Sequence, residues 1–135
     1  MRTVIDTNIA LDLLVFDDPG CAALLAALEL GELQWIATAA MREELARVLD
    51  YPLVAARLAR NGRDAEGVLA AFDRRVHPVD EQPARAPCLC RDPDDQIFID
   101  LAVAQRAQLL SKDRALLEMR GPLARLGVEV AIPDG

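Results

Sequence analysis

Short β-branched or apolar runs alternate along this chain with longer stretches whose apolar residues recur at helical spacing. Thr3-Val4-Ile5 is such a run, stops at Asp6-Thr7-Asn8, and predicts a first strand. Pro19 to Gly31 reads as a helix, with Asp18 as N-cap, Pro19 in the first helical position and Gly31 as its end. Gln34-Trp35-Ile36-Ala37 predicts a second strand, after which Thr38 is expected to cap a helix reaching Asp50. Residues 52 to 73 are helical again, broken near Asn61-Gly62, and Val76 to Val79 suits a short edge strand. Pro78, Pro83, Pro87 and Pro93 make residues 78 to 93 a loop. A helix from Pro93 to Arg106, a strand from Ala107 to Ser111, a helix from Asp113 to Met119 and a strand from Val128 to Ile132 complete the pattern. Too little chain follows the proline-rich loop for a second core, so one domain over residues 1–135 is expected.

Strands alternating with helices imply an α/β fold with a mainly parallel sheet. Ligands of such sheets sit beyond the carboxyl ends of the strands, which is where chemistry should be sought. Composition agrees with this fold class. Hydrophobic residues make up 53% of the chain but aromatics only 4%, so the core must be aliphatic. No apolar stretch is long enough to span a bilayer, and Met1 to Asp6 lacks the zones of a secretory signal, so a cytoplasmic protein is expected. Cys21 stands alone, and Cys88 and Cys90 are too close together for an ordinary bridge. With a single histidine, this excludes both a disulfide framework and a zinc site as expectations.

The net charge of −7 argues against a non-specific nucleic-acid binder, which would carry a basic footprint. Acids that gather around a metal would soften that objection. So would the near-exclusive use of arginine, since Lys112 is the only lysine and arginine grips phosphate in bidentate fashion. Arg57, Arg60 and Arg63, with Arg74 and Arg75, read first as a solvated face and second as an RNA contact. His77, beside Pro78, reads as a surface residue.

Four acids are expected at the carboxyl edge. Asp6 directly follows strand one; an acid there also suits a turn or a helix cap. On the next helix Met41, Leu45 and Val48 form an apolar stripe, and Glu44 belongs to it. A carboxylate among core-facing residues needs a partner or a metal. Its neighbour Glu43 is expected to pair with Arg47 on the solvated face. In Asp92-Pro93-Asp94-Asp95, Asp92 fits the N-cap and Pro93 the first helical position, while acids in a first turn favour the helix dipole. Asp95 aligns with Phe98, Ile99 and Ala102 and so faces the sheet, although Asp94 aligns with Ile97, Phe98 and Leu101. Asp113 follows the strand 107–111 and is a further capping candidate, as is Ser111. Each acid alone has a structural explanation; four converging on one edge do not share one. Crowded carboxylates repel and take up protons, whereas a hard divalent cation removes the repulsion. Oxygen ligands without His or Cys select Mg²⁺ or Mn²⁺. Such a site suits hydrolysis of phosphodiesters.

Asp6-Thr7-Asn8, Glu44 within Arg-Glu-Glu-Leu, Asp92-Pro-Asp-Asp95 with Phe98 and Leu101-Ala102, and Ser111-Lys-Asp113-Arg-Ala-Leu-Leu117 form one ordered set. The set resembles the PIN domain family, in the branch of toxin components of toxin–antitoxin systems, over essentially the whole chain. The resemblance implies a three-layer α/β/α sandwich on a mainly parallel sheet of four to five strands, and a Mg²⁺- or Mn²⁺-dependent ribonuclease. By carry-over Asp6, Glu44, Asp95 and Asp113 are the acidic quartet that binds metal, and Asn8 and Ser111 are polar supports. Asp92 and Asp94 compete with Asp95 for the same role. Lys112 stands where the family commonly has a small residue, so it either touches phosphate or is solvated. An RNA substrate, a homodimer and a cognate antitoxin protein are the partners implied, with no membrane.

Two other readings compete. A non-catalytic PIN-fold scaffold that binds RNA or protein would be expected to have lost an acid, and none is lost here. A haloacid-dehalogenase-like phosphatase needs a second Asp two positions after Asp6, where this chain has Asn8.

Overall fold

In a computed structural model, which describes residues 1–133, five parallel strands form one sheet flanked by helices. The strands are β1 (Arg2–Ile5), β2 (Gln34–Ala37), β3 (Val76–Pro78), β4 (Gln108–Leu110) and β5 (Val130–Ala131), in the spatial order β3-β2-β1-β4-β5. Every pairing is parallel. The fold is the expected α/β/α arrangement, with the strand count at the upper end of the expectation.

The helices are α1 (Thr7–Leu14), α2 (Ala22–Glu29), α3 (Ala39–Leu49), α4 (Pro52–Arg60), α5 (Ala65–Arg75), α6 (Gln96–Gln105), α7 (Arg114–Leu117) and α8 (Arg120–Arg125). Asn61 and Gly62, the latter at φ +66°, end α4, and Asp64 restarts the chain as N-cap of α5 by accepting from the Gly67 N–H at 2.8 Å. This is the break expected near Asn61-Gly62.

Four local expectations need correction. The expected helix 19–31 is a single 3-10 turn at Pro19–Cys21 followed by the shorter α2. Residues 7–14, given no element from sequence, form α1. Ile9, Ala10, Leu11, Leu13 and Leu14 are all buried, so the helix lacks the polar stripe that reveals an amphipathic one. Past α7 the chain makes a further helix, α8, which begins through Gly121 and Pro122 and so resembles a turn in sequence. Thr38 occupies the N-cap of α3 but contributes no side-chain cap; its carbonyl receives the Met41 and Arg42 N–H groups.

One hydrophobic cluster runs from Val4 to Val130 and is mainly aliphatic, as the composition requires, with Trp35, Phe72 and Phe98 its buried aromatic members. α6 packs on β1 and β4, where Ile99, Leu101, Ala102 and Leu109 are fully buried. On the other side of β1, Trp35 of β2 meets Phe72 of α5 edge-to-face, with ring centroids 5.2 Å apart. No described helix is long and apolar enough to cross a membrane.

The strand order positions the site. From β1 the chain builds outward through β2 to β3, then crosses back to lay β4 against the opposite side of β1. The direction of winding therefore reverses between β1 and β4, and loops leaving these two strands diverge to open a crevice. Thr3 pairs with Gln108, Val4 with Leu109 and Ile5 with Leu110. The same register sets Asp6 beside Ser111.

Candidate active site

Asp6 leaves β1 at the reversal point and is 2% exposed. Its N–H donates to the Leu110 carbonyl at 3.2 Å, which continues the ladder one step past the strand. As N-cap of α1, it accepts from the Ile9 N–H through Oδ1 at 2.9 Å, while Oδ2 accepts from the Ser111 hydroxyl. Burial nevertheless pushes its carboxyl up to about 6; the Ser111 and Ile9 bonds oppose the rise, and the charges of Asp113 and Asp12 add to it. Ser111 is fully buried and also accepts from the Asp113 N–H at 2.9 Å, so one hydroxyl joins the exits of β1 and β4. Asp113 in turn caps α7, accepting from the Ala115 N–H at 2.8 Å.

The other acids arrive from the end of the proline-rich loop. Asp92 caps the 3-10 turn Pro93–Asp95 by accepting from the Asp94 N–H at 3.0 Å. Gln96 holds this loop against α6. Its Oε1 accepts from the Cys90 N–H at 2.6 Å, and its Nε2 donates to the Cys88 carbonyl at 3.1 Å and to Asp100 at 2.9 Å. Asp100 also accepts from the Ala86 N–H at 2.8 Å. Every polar atom of the Gln96 amide side chain is thereby used in fixing the segment that delivers Asp92 and Asp95.

One oxygen each from Asp92, Asp95 and Asp113 gathers within 4.8 Å. Oδ2 of Asp95 is buried without a hydrogen-bond partner. Burial, then the charges of Asp113, Asp92 and Asp6, push the Asp95 carboxyl up to about 7, and a hydrogen bond shared with the Asp113 carboxyl adds to the rise. Among the described residues no lysine or arginine forms an ion pair with Asp6, Asp92, Asp95 or Asp113. A buried acceptor without a donor, in a group of uncompensated carboxylates, fits a hard divalent cation.

Glu44 enters from α3. Its Oε2 accepts from the Thr7 hydroxyl at 2.8 Å, and its Oε1 lies 3.7 Å from Arg47. Burial raises its carboxyl above the ordinary range; Thr7 and Arg47 counter this, and Asp94 and Asp92 add to it. The expected Glu43–Arg47 pair is therefore replaced by Glu44–Arg47, one residue closer in sequence, while Glu43 is exposed.

Asp6, Asn8, Glu44, Asp92, Asp94, Asp95 and Asp113 all line one cleft of about 440 Å³. Asn8 and Asp94 are exposed there. Of the expected quartet, Asp95 and Asp113 lie in the close group with Asp92, while Asp6 and Glu44 line the same cleft, Asp6 accepting from Ser111 and Ile9. Lys112 is absent from the cleft and pairs with Asp12. Its phosphate-contacting option is thereby disfavoured. The arginines of α4, α5 and the turn between them form no continuous free face either. Arg57 lies over the Phe16 ring, 5.3 Å from its centroid, Arg63 donates to the Leu14 carbonyl, and Arg75 pairs with Glu29 at 3.5 Å. Thr7 and Gln96 escaped the sequence reading. Thr7 sits inside the Asp-Thr-Asn motif and carried that signal; Gln96 is one polar residue among acids and apolar neighbours and carried none.

A family model described as PIN domain matches residues 2–115. The chain belongs to the PIN domain family. Over 99% of this chain and 100% of the other, the fold superimposes with a TM-score of 0.67 at 14% identity on a chain from the crystal structure of VapBC2 from Rickettsia felis bound to a DNA fragment from their promoter. Among curated proteins, none matches.

Proposed function

We propose that this PIN-domain chain, acting as a single domain, is a divalent-metal-dependent ribonuclease and the toxin of a toxin–antitoxin pair. The observation that carries the reading is the buried, partnerless Oδ2 of Asp95 inside a group of carboxylates that no basic side chain neutralises. Asp92, Asp95 and Asp113 would hold Mg²⁺ or Mn²⁺ through oxygen, with Asp6 and Glu44 lining the same cleft. A cation held there supplies Lewis-acid activation of water and neutralises charge on the phosphodiester.

The rest of the work falls to the chain. Ser111 fixes the Asp6 carboxylate and the Asp113 backbone, so both acids are oriented before any ligand arrives. Thr7 aims Glu44 into the cleft, where its free lone pairs orient the attacking water or help hold a second ion. Water displaces the 3′ oxygen of the linkage and leaves a 5′ phosphate. Asn8 stands exposed at the same cleft as a polar support.

The toxin reading rests on the shared fold with a VapBC2 chain and on the motif set, and it brings a cytoplasmic setting, a protein antitoxin and a homodimer with it. The test is cleavage of RNA by the purified protein with Mg²⁺, with Mn²⁺ and with EDTA. Metal-dependent cleavage that Asp95→Asn abolishes supports the reading. RNA binding without cleavage under every metal condition would favour a scaffold instead.

A further inference from the structure

The carboxylates share their cleft with apolar side chains: Leu11, Phe16, Val48 and Val54 line it, and Tyr51 and Leu53 stand exposed there. Tyr51 is the only tyrosine in the chain and the only aromatic side chain classed as exposed among the described residues. It is 50% exposed, and Leu53 is 88% exposed. Nothing in the fold requires these two groups to face water.

Their backbone is held firmly. Tyr51 forms the corner between α3 and α4, with ψ 140° in the extended region that a following proline imposes. Its N–H donates to the Val48 carbonyl at 3.0 Å, and its carbonyl accepts from the Ala55 N–H at 2.9 Å. Arg47, one turn earlier on α3, also lines the cleft with a side chain 61% exposed. The cleft thus combines a cation-seeking acidic part, an arginine and a rigid aromatic edge.

We propose that Tyr51, supported by Leu53, is a stacking platform for the nucleobase next to the phosphate at the carboxylates. The proposal rests on the ribonuclease reading above. A phosphodiester carries its bases on either side of the phosphate, so an aromatic face beside a phosphate site meets a base first. Stacking tolerates any base because each has a π-face, whereas a base inside a duplex is already stacked and cannot reach the platform. Arg47 offers the adjacent phosphate its only nearby positive charge in the cleft lining.

The test measures binding of fluorescein-labelled, random-sequence single-stranded oligoribonucleotides in Ca²⁺, followed by anisotropy. Duplexes of the same strands and Mg²⁺-dependent hydrolysis are measured in parallel. Tyr51→Ala should weaken single-strand binding about tenfold, Tyr51→Trp should preserve it, and duplex binding should be insensitive to residue 51. No single-strand binding by the unaltered protein, or equal binding by Tyr51→Ala, overturns the proposal and leaves the apolar face to a protein partner. Tyr51-dependent binding with no hydrolysis in Mg²⁺ keeps the platform and overturns the ribonuclease reading instead.

Discussion

The Ser111 hydroxyl donates to Oδ2 of Asp6 across 105 residues of sequence and accepts from the Asp113 N–H at 2.9 Å. Both partners lie at the reversal point of the sheet, where register alone makes Asp6 and Ser111 neighbours. The hydroxyl is thus a tie between two strand exits, and the acids on them depend on it.

Ser111→Ala should destabilise the protein by about 1–3 kcal/mol, because it strips a buried carboxylate oxygen and a backbone N–H of their partner at once. The Ser111 bond also lowers the Asp6 pKa, so its loss should move Asp6 further up and shift the acidic limb of any metal-dependent activity to higher pH. Denaturant unfolding and a pH–rate profile measure the two effects. A variant with unaltered stability and profile would show that the tie is dispensable.

Metal-free protein should become less stable as pH rises from about 4 to about 7. Asp6 and Asp95 stand at about 6 and about 7, above the ordinary carboxylate value, so the folded state binds more protons than the unfolded chain through that window. Stability is then largest below the unfolded pKa and is lost as each carboxyl ionises. Metal requires the ionised forms, so Mg²⁺ or Mn²⁺ should restore stability chiefly at the alkaline end. Thermal melts at pH 5 and pH 8, with metal and with EDTA, read this directly as on the order of several degrees. A metal-free melting temperature that climbs over this range contradicts the account.

Asp95→Asn should separate folding from function. The carboxamide removes one charge from the group formed with Asp92 and Asp113 and can donate to a neighbouring carboxylate, so metal-free stability at pH 8 should rise. Divalent-ion affinity should fall at least about tenfold, and any cleavage should fall with it. Calorimetric Mg²⁺ titration and thermal melts on the same samples check both signs. A destabilised variant would mean that Asp95 serves packing rather than metal.

Much of this was legible in the sequence because it is local. The β-branched run before Asp6, the proline after Asp92 and the glycine after Asn61 each fix a boundary through backbone chemistry that needs no partner. Asp6, Asp92, Asp95 and Asp113 were legible because each follows a strand or opens a helix, positions that parallel topology carries to one edge, and Glu44 was legible because it falls on an apolar stripe. What stayed hidden depends on non-local packing. α1 is buried on nearly all sides, so its pattern has no contrast. Asp92 read both as a cap and as a competitor of Asp95 and Asp94 for the metal, and only the tertiary approach of Asp113 brings their oxygens into one group. The choice of Glu44 over Glu43 by Arg47 is decided by Thr7, a residue 37 positions away that holds Glu44 in place.

Gln96→Leu tests whether the loop clamp matters to the site. The change conserves volume but leaves the Cys90 N–H and the Cys88 carbonyl without their partner, and it frees Asp100 from one of two donors. A cost of about 1–3 kcal/mol follows for the orphaned buried groups. Amide exchange at Cys90 should quicken, and Mg²⁺ affinity should weaken although no ligand has been touched, because Asp92 and Asp95 hang from this loop. Gln96→Glu keeps the acceptor for Cys90 but turns a buried carboxylate oxygen toward the Cys88 carbonyl and Asp100, so at neutral pH it should cost at least as much as Leu.

Lys112→Met distinguishes an ion pair from a phosphate contact. Lys112 pairs with Asp12 outside the cleft, and this contact raises its pKa above the ordinary lysine value. With nearly half of the lysine side chain exposed, loss of the pair should cost no more than about 0.2–1 kcal/mol, less at high salt. RNA cleavage should then match the unaltered protein within about twofold, a difference of roughly 0.4 kcal/mol in the barrier. A fall in kcat/KM of about tenfold or more, without a matching loss of stability, would return Lys112 to the substrate path and require its side chain to leave Asp12 when RNA binds.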